Sequence, residues 1–144
     1  MSIILPPKIF LVDDDALFLK ALEIDFKQHS NFIVETFSTG ELCVEKLYEN
    51  PDYIILDYHL DDIQKSAMNG IETLDKIKKS KPNISVIMLS AQDKIEVAIN
   101  CMHHKASDYV VKSETSFVRL QKIINDLNTL KKMQSQLDWY MSKV

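Results

Sequence analysis

Four short apolar segments of this sequence end in, or lead directly into, side chains that can do chemistry. Asp13 and Asp14 follow the first segment, and Asp57 follows the second. Ser90 ends the third segment and Lys112 follows the fourth. Three carboxylates that come together repel one another, so at neutral pH they require a cation or raised pKa values. Carboxylate oxygens favour Mg2+, which completes its shell with water and phosphate oxygens.

The same side chains are suited to phosphoryl transfer. A carboxylate can attack phosphorus and form an acyl phosphate, a reaction that needs in-line positioning and positive charge near the phosphoryl oxygens. Lys112 can supply that charge, and the Ser90 hydroxyl with the backbone N–H that follows it can hold a further oxygen. Because Gly40 and Gly70 are the only glycines, the sequence excludes a glycine-rich loop for nucleotide phosphates.

These side chains must be positioned by alternating strands and helices. The apolar segments predict five strands, and the stretches between them have helical periodicity, which is typical of βαβ units. The strands are rich in Ile, Val and Leu throughout, as expected of a parallel sheet buried on both faces. Open sheets of this kind bind ligands beyond the carboxyl ends of their strands. The predicted strands lie near residues 8–13, 32–37, 53–57, 84–89 and 108–112.

Each connecting segment predicts one helix. Ser38 with Glu41 three residues later has the spacing of a capping box and predicts the start of the second helix. We expect the apolar positions of the helices to face the sheet. They are Leu17, Ala21, Leu22 and Phe26 in the first helix, Leu42, Cys43 and Leu47 in the second, Ile71, Leu74 and Ile77 in the third, and Ile95, Ala98, Ile99 and Met102 in the fourth.

The last segment predicts a helix much longer than the others. No glycine or proline interrupts residues 116–141, and apolar residues recur at alternating steps of three and four, the spacing of a coiled coil. We expect residues 1–130 to form the main domain and residues 131–144 a helical extension. The extension either pairs with a second copy or leads into a further domain; alternatively it packs back on its own body or frays.

Composition narrows the class of protein. A chain of 144 residues with 46% hydrophobic and 26% charged residues suits one globular domain. The net charge of −4 argues against nucleic acid as a direct partner, and no apolar stretch is long enough for a membrane span. Two isolated cysteines, Cys43 and Cys101, do not suggest a disulfide framework. We therefore expect a cytoplasmic protein.

The order and spacing of the motifs resemble the receiver domains of two-component response regulators. The shared pattern is Val-Asp-Asp at positions 12–14, a strand that ends in Asp57, a strand that ends in Ser90 followed by Ala91, and then Lys112. The similarity extends from residue 8 to about residue 130. It implies an α/β fold with a five-stranded parallel sheet, doubly wound and flavodoxin-like with strand order 2-1-3-4-5, and an extended C-terminal helix.

The resemblance also implies a role for each site residue. Asp57 would be the phosphoacceptor, and Mg2+ would be bound by Asp13, Asp14, Asp57 and the backbone carbonyl of His59. Lys112 would pair with the phosphate. The phosphoryl donor would be a sensor histidine kinase or a phosphotransfer protein.

Further residues would control the response. Ser90 and Tyr109 correspond to the switch hydroxyl and switch aromatic of the family, which move together when phosphate arrives. His59 and Ala91, next to the acceptor and to the switch hydroxyl, are predicted to modulate the lifetime of the phosphate. The switch would change the face formed by the fourth helix, fifth strand and fifth helix, and so control a partner or an output domain outside this chain.

The sequence departs from the family pattern in two places. Ser113 follows Lys112 where receivers usually have a proline in a cis peptide. A trans peptide bond is therefore expected here, and with it a different orientation of the Lys112 side chain. The segment 58–69 is longer than usual and carries two extra acids, Asp61 and Asp62. Three roles are open for this segment: a surface insertion, a mobile lid, or a loop whose acids adjust the affinity for the metal ion.

Three functions compete at this point. The first is a phosphorylation-controlled switch, and the second is a receiver-like docking or dimerisation module without phosphate turnover. The third is a phosphatase with an aspartate nucleophile, which would need a second acid where His59 stands. The switch accounts for every motif and is the main prediction.

Overall fold

Five parallel strands form one sheet in the order β2-β1-β3-β4-β5. The structure is a computed structural model that describes residues 5–144. The sheet confirms the predicted flavodoxin-like order, and the predicted strand bounds are correct to within one residue. The strands are β1 (Lys8–Val12), β2 (Ile33–Phe37), β3 (Tyr53–Asp57), β4 (Ser85–Ser90) and β5 (Asp108–Val111).

Helices cover both faces of the sheet. Helices α1 and α5 pack on one face, and α2, α3 and α4 pack on the other. Within residues 5–144, none of the helices combines the length and the apolar character that crossing a bilayer requires. The helices are α1 (Ala16–His29), α2 (Gly40–Glu45), which leads into a short 3-10 helix (Leu47–Glu49), α3 (Gly70–Ser80), α4 (Ile95–His103) and α5 (Ser116–Met141).

The central strand, β3, is buried on both faces of the sheet. All five residues of β3 are buried. Ile54 and Leu56 belong to the core beneath α2, α3 and α4, whereas Tyr53 and Ile55 belong to the core beneath α1 and α5. Successive side chains of a strand point to opposite faces, so a strand with helices on both sides is apolar along its length; the polar residue of β3 is Asp57, at its carboxyl end.

The start of α2 differs from the prediction. The cap is Thr39, whose side chain accepts a hydrogen bond from the Leu42 N–H at 3.2 Å, and Ser38 is exposed. Glu41 does not close a capping box; it accepts from the Met68 N–H at 3.1 Å. A capping box does occur at α3, where Asn69 and Glu72 bond reciprocally.

The face that α4 turns to the sheet was predicted wrongly. Val97 and Cys101 are its buried residues, whereas Ile95 is 72% and Ile99 60% exposed. In α1, similarly, Leu17 is exposed and Leu19 is buried in its place. Apolar residues occur around much of both helices, so periodicity alone did not identify the side that packs.

The long helix α5 is docked along its first half and exposed along its second. Leu120 and Ile124 are fully buried, whereas Leu130 and Leu137 are 61% and 54% exposed. The last tether to the body is Lys131, whose ammonium lies 2.6 Å from a carboxylate oxygen of Asp52. From residue 132 onward every side chain is exposed.

Strand register brings the predicted chemistry to one edge. Val12 pairs with Leu56, Asp57 with Leu89 and Ser90 with Val111. The residues that follow Val12 and Val111 are Asp13 and Lys112. All four strand ends therefore meet at the carboxyl edge of the sheet.

Candidate functional site

Three carboxylates converge at this edge, as the sequence predicts. One oxygen from each of Asp13, Asp14 and Asp57 lies within 4.8 Å of the others. Asp13 and Asp57 are buried and Asp14 is partly exposed, so the cluster opens to solvent on one side. Asp15, the next residue along, caps α1 by accepting from the N–H groups of Leu17 and Phe18. The cluster therefore lies where α1 begins.

Burial makes the charge of this cluster costly. Burial, and after it the neighbouring charge of Asp13, raise the pKa of Asp57 to about 8 against the lowering influence of Lys112. Asp13 Oδ2 is buried and makes no directed hydrogen bond within the described residues. Three clustered carboxylates, two of them buried, fit a hard divalent cation such as Mg2+.

Lys112 supplies the positive charge at the site. Its ammonium forms ion pairs with two carboxylates, at 2.9 Å from Asp13 Oδ2 and 3.7 Å from Asp57 Oδ1. Burial acts to lower the pKa of Lys112, but the two carboxylates outweigh it and the net pKa is raised. The peptide between Lys112 and Ser113 is trans. With this trans peptide, the Lys112 ammonium lies beside both Asp13 and Asp57.

Ser90 and Tyr109 are connected through the backbone of one residue, Gln92. The Ser90 hydroxyl is fully buried and accepts a hydrogen bond from the Gln92 N–H at 3.1 Å. The Tyr109 hydroxyl donates to the Gln92 carbonyl. Ala91, between them, is exposed at the start of the β4–α4 loop. A displacement of the Ser90 hydroxyl would therefore act on the residue that holds Tyr109.

The long loop 58–69 contacts the acidic cluster at two points. The N–H of His59 donates to Asp57 Oδ1 and the N–H of Ile63 donates to Asp14 Oδ2, each at 3.3 Å. Leu60 and Ala67 are buried, which fixes the loop to the body. The loop thus forms one wall of the site.

Two residues at the site were not predicted. The ring of Phe18 lies under Lys112, with the ammonium 4.4 Å from its centroid. Gly70 packs on the backbone that follows β3, and a Cβ at this position would lie 2.5 Å from the carbonyl oxygen of Asp57. The sequence held no signal for Phe18; for Gly70 the only signal was the rarity of glycine.

Comparison with known proteins identifies the family. A family profile described as the response regulator receiver domain matches residues 9–125. The chain belongs to this family. The receiver domain is the part of a two-component response regulator that takes part in signalling, and the match spans all five strands of the sheet.

Individual relatives agree with this membership. The chain is 32% identical to the luminescence regulatory protein LuxO of Vibrio campbellii over 80 residues, which are 55% of this chain and 17% of that protein. It is 32% identical over 124 residues to a protein-glutamate methylesterase/protein-glutamine glutaminase of Clostridium acetobutylicum, covering 83% of this chain and 34% of that protein. The chain therefore spans about a third or less of the length of these curated relatives.

A solved receiver structure is also similar. The crystal structure of the response regulator TrrA from Thermotoga maritima in complex with Mg2+-BeF aligns with a TM-score of 0.71 at 25% identity. The alignment covers 84% of this receiver chain and 98% of that one. The two chains share the receiver fold over nearly the whole length of TrrA.

Proposed function

We propose that Asp57 is the phosphoacceptor of this receiver domain. A carboxylate oxygen of Asp57 attacks phosphorus and forms an O–P bond, while the bond from phosphorus to the donor's imidazole nitrogen breaks. The electron pair of that bond stays on the nitrogen, which takes up a proton. The observation that carries this proposal is the convergence of Asp13, Asp14 and Asp57 with Lys112 beside them.

The surrounding residues have complementary tasks. Lys112 lies close enough to Asp57 to pair with a phosphoryl oxygen attached there. The Ser90 hydroxyl and the N–H of Ala91, at the end of the neighbouring strand β4, would hold a further phosphoryl oxygen. Asp13, Asp14, Asp57 and the backbone carbonyl of His59 would hold Mg2+. When bound, Mg2+ neutralises charge on the phosphoryl oxygens.

The switch would pass from Ser90 to Tyr109 through Gln92. If the Ser90 hydroxyl turns toward a phosphoryl oxygen, it releases the Gln92 N–H and so perturbs the carbonyl that holds Tyr109. Gln92 belongs to the loop that leads into α4, whose outer side exposes Ile95 and Ile99. Exposed apolar side chains on α4 support the face of α4, β5 and α5 as the surface whose affinity changes.

The partners and setting follow from the same proposal. A sensor histidine kinase or a phosphotransfer protein would supply the phosphoryl group, and its removal would be the only other reaction of the domain. Residues 1–130 would form the receiver, and residues 131–144 a segment that pairs with a second copy or leads to an output domain. His59 and Ala91 remain our candidates for setting phosphate lifetime.

We expect this protein to work in the cytoplasm. Cys43 and Cys101 are buried and unpaired. Burial raises the pKa of Cys43 to about 12 and that of Cys101 to about 11, so both thiols stay protonated and unreactive. Such cysteines suit a reducing compartment.

Intact-mass measurement with a small phosphodonor tests the proposal. With acetyl phosphate and Mg2+, the protein is expected to gain one phosphoryl group, and chelating the metal is expected to prevent this gain. Asp57→Asn should gain none, whereas Asp126→Asn, a matched change on the exposed part of α5, should behave like the wild type. No adduct on the wild type, or an undiminished one on Asp57→Asn, would reject the assignment.

A further inference from the structure

A second group of metal-ligating side chains lies in the long loop. A ring nitrogen of His59 and carboxylate oxygens of Asp61 and Asp62 all lie within 4.8 Å of one another. His59 and Asp61 are partly buried, and Asp62 is exposed. The carboxylates of Asp61 and Asp62 are distinct from those of Asp13, Asp14 and Asp57, so this group can bind a ligand of its own.

The charges of this group are not balanced by the protein. Among residues 5–144, no Lys or Arg nitrogen lies within 4.0 Å of either Asp61 or Asp62. His59 Nε2 is buried and, within the described part of the chain, has no hydrogen-bond partner. A buried ring nitrogen without a partner is costly, since most buried polar atoms are satisfied. The two carboxylates and the buried imidazole nitrogen are therefore donors that a bound cation could use.

We propose that His59, Asp61 and Asp62 bind a divalent transition-metal ion of the zinc class. Imidazole nitrogen is a borderline ligand that suits Zn2+, Ni2+ and Co2+, whereas Mg2+ and Ca2+ prefer a shell of oxygens alone. One nitrogen and two carboxylate oxygens leave a position for water, as in open zinc sites. Bonds of about 2.0–2.2 Å would draw the three ligands slightly closer together than they are here.

The ion would stabilise the loop against the acidic cluster. The N–H of His59 already contacts Asp57, and the N–H of Ile63, one residue beyond Asp62, contacts Asp14. A metal bound to three side chains of this short segment would hold both contacts in place. The metal site itself does not depend on phosphorylation of Asp57, so the two proposals can fail separately.

Calorimetric titration with Zn2+ in the presence of excess Mg2+ tests this site. The Asp57→Asn variant serves as the background, because it removes one ligand from the acidic cluster. We expect one Zn2+ per chain and a loss of affinity of about tenfold or more in His59→Gln, Asp61→Asn or Asp62→Asn, since loss of even an outer-shell partner costs about 10- to 100-fold. These changes lie in a loop, and circular dichroism checks that each variant remains folded.

Matched histidine changes separate this site from other histidines. His104, which follows the last residue of α4 and contacts Asp75 at 2.8 Å, and the exposed His29 provide controls. His104→Gln and His29→Gln should bind Zn2+ as the background does. In the Co2+ complex, loss of the ligand-field absorption band in His59→Gln is expected. Unchanged Zn2+ affinity in all three loop variants, or displacement of Zn2+ by millimolar Mg2+, would overturn the proposal.

Discussion

At the scale of single residues, the site depends on a carboxylate that is hard to ionise. The pKa of Asp57 is raised to about 8, mainly by burial, next to the second buried carboxylate of Asp13. The contribution of Asp57 to the free energy of unfolding is therefore fully present below its ordinary pKa of about 4 and is lost as the pH rises toward and through 8. A bound cation reverses this effect because it favours the ionised form.

This raised pKa predicts that Mg2+ binding releases a proton. Near neutral pH the metal-free protein holds a proton on Asp57, which Mg2+ must displace, so the apparent affinity should increase with pH and level off above about pH 8. Calorimetry in buffers of different ionisation enthalpy measures the released proton. Asp57→Asn should release none. Affinity for Mg2+ that does not vary between pH 6 and 8 in the wild type would contradict this.

Gly70 predicts a steric test of the acceptor's backbone. A Cβ in Gly70→Ala would lie 2.5 Å from the Asp57 carbonyl and 2.6 Å from Tyr58 Cα, so the chain after β3 must shift. We expect a loss of about 1–3 kcal/mol in the free energy of unfolding and slower phosphorylation of the folded protein. Chemical denaturation and the rate of acetyl phosphate labelling measure these effects.

Gly40→Ala is the matched control for this change. Its Cβ would meet the side chain of Thr73 and not the backbone that follows β3. It should lose stability but keep the labelling rate. Equal labelling rates in the two variants would show that the position of Gly70 has no bearing on the acceptor.

At the scale of helices and strands, the edge of the sheet was easier to predict than the faces of the helices. The strands are continuous apolar runs, so their ends, and with them Asp13, Asp57 and Lys112, could be located from the sequence. The buried side of α4 could not, because Ile95 and Ile99 have the same apolar character as the buried Val97. Contacts such as that of Phe18 with Lys112 depend on the packing of α1 beside α5, which no local pattern contains.

The start of α2 predicts a difference between two neighbouring hydroxyls. Thr39→Ala removes the side chain that accepts from the Leu42 N–H, and should cost about 1 kcal/mol of stability. Ser38→Ala changes an exposed side chain that does not cap the helix and should cost almost nothing. Urea denaturation of the two variants measures the difference. A larger loss of stability in Ser38→Ala than in Thr39→Ala would contradict the assignment of Thr39 as the helix cap.

At the scale of the whole molecule, the second half of α5 carries apolar side chains that no other part of residues 5–144 buries. The Leu130 and Leu137 side chains lie on a coiled-coil spacing and are more than half exposed. The ion pair between Lys131 and Asp52 fixes the direction in which the helix leaves the body. An apolar seam held in a fixed direction is suited to pair with the same seam of a second copy.

This seam predicts self-association that a single charge disrupts. Sedimentation of the protein treated with beryllofluoride and Mg2+ should show a dimer. Leu137→Lys places a charge in the seam and should give a monomer, whereas Gln136→Lys, one position away and outside the seam, should leave the dimer intact. A monomer under all conditions would instead favour the extension as a connector to a further domain.

The most direct test of the central claim is to locate the phosphoryl group on the chain. After labelling with acetyl phosphate and Mg2+, borohydride reduction converts the acyl phosphate into a stable alcohol, and peptide mass spectrometry identifies the altered residue. We predict one altered residue, Asp57, with Asp13 and Asp14 unchanged. Modification at Asp13 or Asp14, or no modified aspartate in a protein that binds Mg2+, would contradict the assignment of this site.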